Sequence, residues 1–338
     1  LSATAWLGNV TGKTIVGNAT VERFIPTGIS HGKTWQFVSV PLSGTQTINQ
    51  AWQDTATSAN QNRYSGYGTQ LVSNISPLPS LFDAPGGAPS VKTYNPATNT
   101  WVGVPNTTTT PIQNQRGYMV YVRGDRSVTT LSGAAVPTTL RAKGKLYTTG
   151  ADLPPSTTVP ANSFESIGNP YASAIDFLNI SKPGPSQVDD AFYVWDPLLY
   201  GSYGFGSYQT ISSINGYKPV PGGTAIYDAT VTNTRIESGQ AFLVHATGPG
   251  SGGTISFSEG AKLSGSNMVF RNPIMPQRNR TFLYAELYNS ANLLTDGCLV
   301  AFDQSFSNAY NHQDALKILN PGENIGILLG GKIMSVEA

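Results

Sequence analysis

Runs of about four to eight β-branched and aromatic residues, each closed off by Gly, Pro, Asn or Asp, recur along the whole chain. Trp35–Val40, Tyr118–Val122, Ala241–His245, Thr254–Phe257, Thr281–Leu287, Leu299–Phe302 and Ile325–Leu329 are the clearest. Segments this short and this regularly punctuated favour antiparallel strands joined by turns, and they leave no room for long helices. The best helical stretch is Ala172–Leu178 after Asn169-Pro170, a turn or two at most. The predicted fold class is all-β: tandem β-sandwich-like modules with very little helix.

Composition narrows the function. The 338 residues carry Lys+Arg 20 against Asp+Glu 19, a charged fraction of 12%, about half that of an ordinary soluble domain. No basic surface for nucleic acid and no acidic tail follow from such a balance. Hydrophobic residues at 39% are enough for two or three cored domains and exclude disorder. No apolar run approaches the roughly 20 residues of a membrane-spanning helix. The single cysteine, Cys298, has no internal partner, which suits an exported bacterial protein that does not rely on oxidation. The chain begins at Leu1 without a basic-then-apolar leader, so a signal peptide is expected to have been removed or left out.

The chain repeats itself at low resolution. Val91-Lys-Thr-Tyr-Asn-Pro96, followed by Trp101, parallels Phe192-Tyr-Val-Trp-Asp-Pro197, and Arg116-Gly-Tyr-Met-Val-Tyr-Val122 parallels Ser238-Gly-Gln-Ala-Phe-Leu-Val244. Two related β modules are therefore expected at 31–150 and 151–270, with a seam at the Pro/Thr-rich run Leu153–Pro160. Residues 1–30 read as N-terminal strands completing a neighbouring module, and 271–338 as a partial C-terminal sandwich with too few strands to close.

Sites of chemistry are sparse. His31, His245 and His312 stand apart, no HExxH or paired-Cys spacing occurs, and no Gly-x-Ser-x-Gly elbow or phosphate-cradling loop is present. Catalytic residues are assigned to none. Asp176, Asp189, Asp190 and Asp196 cluster in the second module, and paired acids serve glycoside hydrolysis, but turn capping is the plainer role. Arg123-Gly-Asp125 reads as a hairpin turn after Tyr118–Val122, and Tyr94–Trp101 as a strand pair rather than a propeller blade. No cofactor is expected. Calcium is the better metal candidate, on Asp303, Ser305, Ser307, Asn308 and Asp314, although that stretch lacks the Gly and terminal Glu of a calcium loop and reads first as an Asx-rich turn. The Gly-rich aromatic loops supply the candidate binding or self-association residues: Tyr64, Tyr67, Tyr200, Tyr203, Phe205 and Tyr208, flat amphipathic faces suited to a neighbouring subunit or a sugar.

Gly17–Pro26, Trp52-Gln53, Tyr67-Gly68-Thr69, Arg116–Ser127, Ile167–Asp176 and Lys332–Glu337 together resemble, in this order, the C-terminal region of very large secreted surface proteins of Bacteroidota. The resemblance covers nearly the whole chain. It implies type IX secretion, an extracellular or cell-surface location, β-rich modules, and an adhesive or structural role without enzymatic activity. In that phylum Asp54-Thr55-Ala56 matches an O-glycosylation pattern, which makes Thr55 a candidate acceptor. The expected function is a surface adhesin or subunit of an extracellular filament or sheath. Its partner is another copy of itself, joined by strand addition at the unfinished sandwich. Surface glycans are the second expected partner, and a carbohydrate-binding module or surface glycoside hydrolase is the alternative.

Overall fold

Alternation writes the first strand. Val21 and Ile25 of Ala19–Ile25 (β1) pack inward while Thr20 and Glu22 stay exposed. The computed structural model describes residues 5–27, 32–74, 81–183, 187–199, 206–222, 233–248, 250, 252–265 and 281–338. In its first part β1 is followed by Thr34–Val38 (β2), Leu42–Ser43 (β3), the short helix Ile48–Trp52 (α1), Val91–Asn95 (β4), Thr100–Gly103 (β5), Tyr118–Val122 (β6) and Thr138–Leu146 (β7). Two sheets result, β1-β7-β3 and β2-β6-β4-β5. Between them lie Ile25, Leu42, Trp52, Phe82 and Tyr118, with the Trp52 and Tyr118 rings edge to face at 5.5 Å.

The second part contains Thr157–Val159 (β8), Ser163–Gly168 (β9), Ile175–Asp176 (β10), Ala191–Asp196 (β11), Ser207–Ser212 (β12), Pro219–Val220 (β13), Arg235–Ile236 (β14), Ala241–Ala246 (β15) and Gly253–Ile255 (β16). Its main sheet runs β13-β12-β11-β15-β9, with the pairs β16-β8 and β10-β14 beside it. The order β9-β15-β11-β12 repeats, strand for strand along the chain, the order β2-β6-β4-β5 of the first part. The third part, Thr281–Tyr288 (β17), Leu294–Phe302 (β18), Ala315–Leu316 (β19), Ile327–Leu329 (β20) and Lys332–Glu337 (β21), forms one sheet ordered β17-β18-β21-β19, with β20 on β21.

The five-stranded sheet is covered on both faces. Phe192, Val194, Phe242 and Val244 point into the second part's own core. Their neighbours Tyr193, Trp195, Ala241 and Leu243 share a cluster with Phe37, Tyr94 and Met119 of the first part and Leu299, Ala301 and Val336 of the third. Every residue of β11 and β15 is buried, so both read as unbroken apolar runs rather than alternating ones. The junction is close: a Cβ built on Gly117 would sit 2.5 Å from Ala241 Cβ, Phe37 Cε2 and Ser166 Oγ. Ser39 N donates to Gly239 O at 3.0 Å and Gly168 N to Gln115 O at 2.8 Å, one bond in each direction across it.

Four expectations need correction. β1 pairs along its full length with β7 of the same chain, so 19–25 completes the first module here rather than an earlier one. The segment before it crosses to the second part, where Leu7 N donates to Ala172 O at 2.8 Å and Val10 N to Glu259 Oε2 at 2.7 Å. Helix appears at Ile48–Trp52, fixed by a capping box in which Gln50 N donates to Thr47 Oγ1 and Thr47 N to Gln50 Oε1. At 172–178 only the short 3-10 turn Phe177–Asn179 forms, capped by Asp176. Arg123-Gly124-Asp125 is a turn, but no strand follows it at 127–131; Arg123 and Asp125 are buried, which removes the tripeptide from the surface.

Candidate functional site

Tyr64 is half exposed, Tyr67 is partly buried, and both rings lie on the guanidinium of Arg141, at 5.1 and 4.1 Å from its Cζ. Arg141, on β7, donates through Nε and Nη2 to Asp54 Oδ1 at 2.9 and 2.8 Å. The pair fastens the aromatic loop to the outer face of the β1-β7-β3 sheet. Thr55 is exposed next to it, and its carbonyl accepts from Arg63 Nη1 at 3.0 Å.

Beside Thr55 opens a cleft of about 460 Å³ between β3, α1 and β7, lined by Thr45, Gln46, Gln50, Thr55, Lys143 and Lys145 and floored by Gln113. Gln113 is held on both ends: Oε1 accepts from Gln46 N at 2.8 Å, and Nε2 donates to Lys143 O at 2.9 Å. Its amide fits because residue 144 is glycine; a Cβ there would collide with Gln113 Nε2 and Ser43 O. The floor is thus set by backbone contacts rather than by mobile side chains.

Tyr208 is not an exposed binding residue. It is 6% exposed at the junction of all three parts, where its hydroxyl accepts from Trp101 Nε1 at 2.7 Å and its N–H donates to Asn320 Oδ1 at 2.7 Å. Tyr200, Tyr203 and Phe205 lie outside the described residues, as does His31.

The calcium candidates separate by environment. Asp303, Ser305, Ser307 and Asn308 are exposed, and Asp303 Oδ1 accepts from Ser305 N and Oγ at 2.9 and 2.7 Å in an Asx turn. Asp314 is fully buried, with Oδ2 accepting from Asn311 N at 2.7 Å and Oδ1 from Ala338 N at 2.9 Å, and burial raises its carboxyl above the usual range. Both of its oxygens already serve backbone amides. Among the described residues no cluster of three or more His, Cys, Asp or Glu could hold a metal.

The four acids of the second part also go separate ways. Asp176 caps a 3-10 turn, Asp190 meets Lys182 at 2.7 Å, and Asp196 accepts from Leu198 N at 2.9 Å and Gln209 Nε2 at 2.6 Å. Asp189, fully buried, lies 2.7 Å from His245 Nδ1 and accepts from Thr247 Oγ1 at 2.5 Å. Burial pushes its carboxyl up, partly offset by His245. Sequence offered no sign of this pair, 56 positions apart; only the register of β15 against the segment before β11 brings it together.

The third part presents the other surface. Leu299 and Ala301 face the central sheet, so Val300 and Phe302 of β18 point the opposite way, and Leu283 stands directly across from Val300 on β17. Leu283 is 58% exposed and Phe302 54%, and Leu328 and Ile333, paired across β20 and β21, are exposed as well. Among the described residues β17 pairs with β18 alone, leaving its outer edge open.

Residues 83–316 match the model of the family described as Domain of unknown function (DUF8693). The chain belongs to this family. No curated protein and no solved structure matches it. The match takes in β4 to β19, and so the whole central sheet with part of its cover on each side, while Phe37 of β2 and Val336 of β21 lie outside it.

Proposed function

We propose that the protein is a non-enzymatic structural or adhesive component of a bacterial cell surface, and that its copies join by strand addition at the third sheet. The observation that carries the reading is β17: an eight-residue strand whose outer edge has no partner strand among the described residues, next to exposed Leu283 and Phe302. An open edge supplies a row of unpaired amides and carbonyls, and the apolar face beside it supplies area to bury. A β-strand of a second copy satisfies both needs at once. The nearly neutral chain, Lys+Arg 20 against Asp+Glu 19, adds little repulsion between copies. The likeness of its motifs to secreted Bacteroidota surface proteins supports an extracellular location and export by type IX secretion.

Sedimentation velocity over a wide concentration range, with negative-stain microscopy of the same samples, tests the proposal. Oligomers or filaments that lengthen with concentration are expected. A monomer at every concentration ends it.

A further inference from the structure

We infer that the cleft between β3, α1 and β7 binds an anionic saccharide, its hydroxyls bonded by Thr45, Gln46 and Gln50 and its acid groups by Lys143 and Lys145. The inference does not rest on strand addition, because the cleft belongs to the first module.

The volume, about 460 Å³, falls within the roughly 300–1,000 Å³ of small-molecule sites, but the lining differs from the usual apolar one. Hydroxyls, carboxamides and ammonium groups surround it, so only a ligand rich in hydrogen-bonding groups replaces the water it must displace. Carboxamides suit sugar hydroxyls, since each offers both donors and an acceptor. Gln46 Oε1 is already used, accepting from Lys143 N at 2.7 Å, and Gln50 Oε1 accepts from Thr47 N at 2.9 Å. Each Oε1 is thus engaged, which fixes the carboxamide orientation and leaves the NH2 as the group to donate to a ligand hydroxyl. Preorganised donors lose little entropy on binding.

Charge selects the ligand further. Lys143 and Lys145 stand two apart on β7, on one face, and neither has a carboxylate partner among the described residues. Asp54 is tied to Arg141, and Glu22, exposed on β1 opposite Arg141 and one same-face pair along from Lys143, is an acid on this face that the two lysines outnumber. Two unpaired ammonium groups over fixed amide donors match a chain of sugars carrying carboxylate or sulfate groups, and Thr55 closes the wall beside them.

Isothermal titration calorimetry of the full chain tests this with tetragalacturonate and a heparin-derived tetrasaccharide, the carboxylated and sulfated probes, and maltotetraose as the neutral one. Saturable binding of at least one acidic probe is expected, weakened by salt, with maltotetraose at least about tenfold weaker. Lys143→Gln and Lys145→Gln, both at exposed positions, should each reduce affinity about tenfold while leaving the melting temperature unchanged, and Lys13→Gln, at an exposed site elsewhere, should not. No saturable binding of either acidic probe, equal binding of maltotetraose, or affinity untouched by Lys143→Gln and Lys145→Gln overturns the assignment.

Discussion

Asp83 and Arg126 meet as a two-pronged ion pair, Nη2 to Oδ1 at 2.8 Å and Nη1 to Oδ2 at 3.0 Å, with neither side chain more than 1% exposed. Asp83 also accepts from Asn60 N at 2.7 Å, Leu71 N at 2.8 Å and Gln53 Nε2 at 3.0 Å, while Arg126 Nε donates to Gln61 O at 2.7 Å. The stretch between α1 and β4 contains no strand among its described residues, so this pair takes the place of a sheet in holding it. Removing one partner leaves the other charged and buried. Arg126→Met or Asp83→Asn should each cost about 3–5 kcal/mol in urea unfolding, with the double variant costing less than their sum. Losses below about 1 kcal/mol would show that the loop is held by something else.

Gly117 is the contact point between the first module and the central sheet. Gly117→Ala places a methyl 2.5 Å from three atoms on three strands, and the overpacking should cost about 1–3 kcal/mol. Differential scanning calorimetry should show one lowered transition. Two separated transitions would mean that the modules unfold independently.

Burial raises the carboxyl of Glu165 above its ordinary value of 4.5, with Arg116 and the Ser166 amide pulling the other way. The folded state therefore binds the proton more tightly than the unfolded one. Stability from this source is complete below pH 4.5 and is lost as pH rises through the raised value. Asp189 and Asp314 are shifted in the same direction. The denaturation midpoint of the wild type should fall as pH rises from about 4.5 towards neutrality, and Glu165→Gln, uncharged throughout, should fall less steeply. Parallel profiles would assign the slope to other groups.

At the open edge, Leu283→Lys puts a charge on the exposed face of β17 without touching its pairing to β18. Assembly should weaken by at least about tenfold in concentration while thermal stability stays within about 0.5 kcal/mol of wild type. Undiminished assembly would move the joint elsewhere.

The all-β class was legible because β2, β6, β15 and β17 carry β-branched or aromatic runs closed by turn residues, whereas β3, β19 and the centre of β7 carry no such run. Tyr118–Val122 is read to the residue, and Ala241–Ala246 to within one. α1 was missed because five residues have no period to detect, and only Thr47 and Gln50, three apart, announced it. Tyr208 looked like part of an exposed aromatic loop; nothing local says that Trp101, 107 positions earlier, covers it. Tyr64 and Tyr67 were singled out, but the cleft next to them depends on Gln113 and Gly144, which come together only through the pairing of β3 with β7.

The doubly covered sheet decides what the repeat means physically. In sequence the modules look like beads on a string, each free to be cut out or shuffled. With Tyr193, Trp195 and Leu243 sheltered by one neighbour or the other, excising a bead would strip a wall from the next, so the string behaves as a single keystone arch.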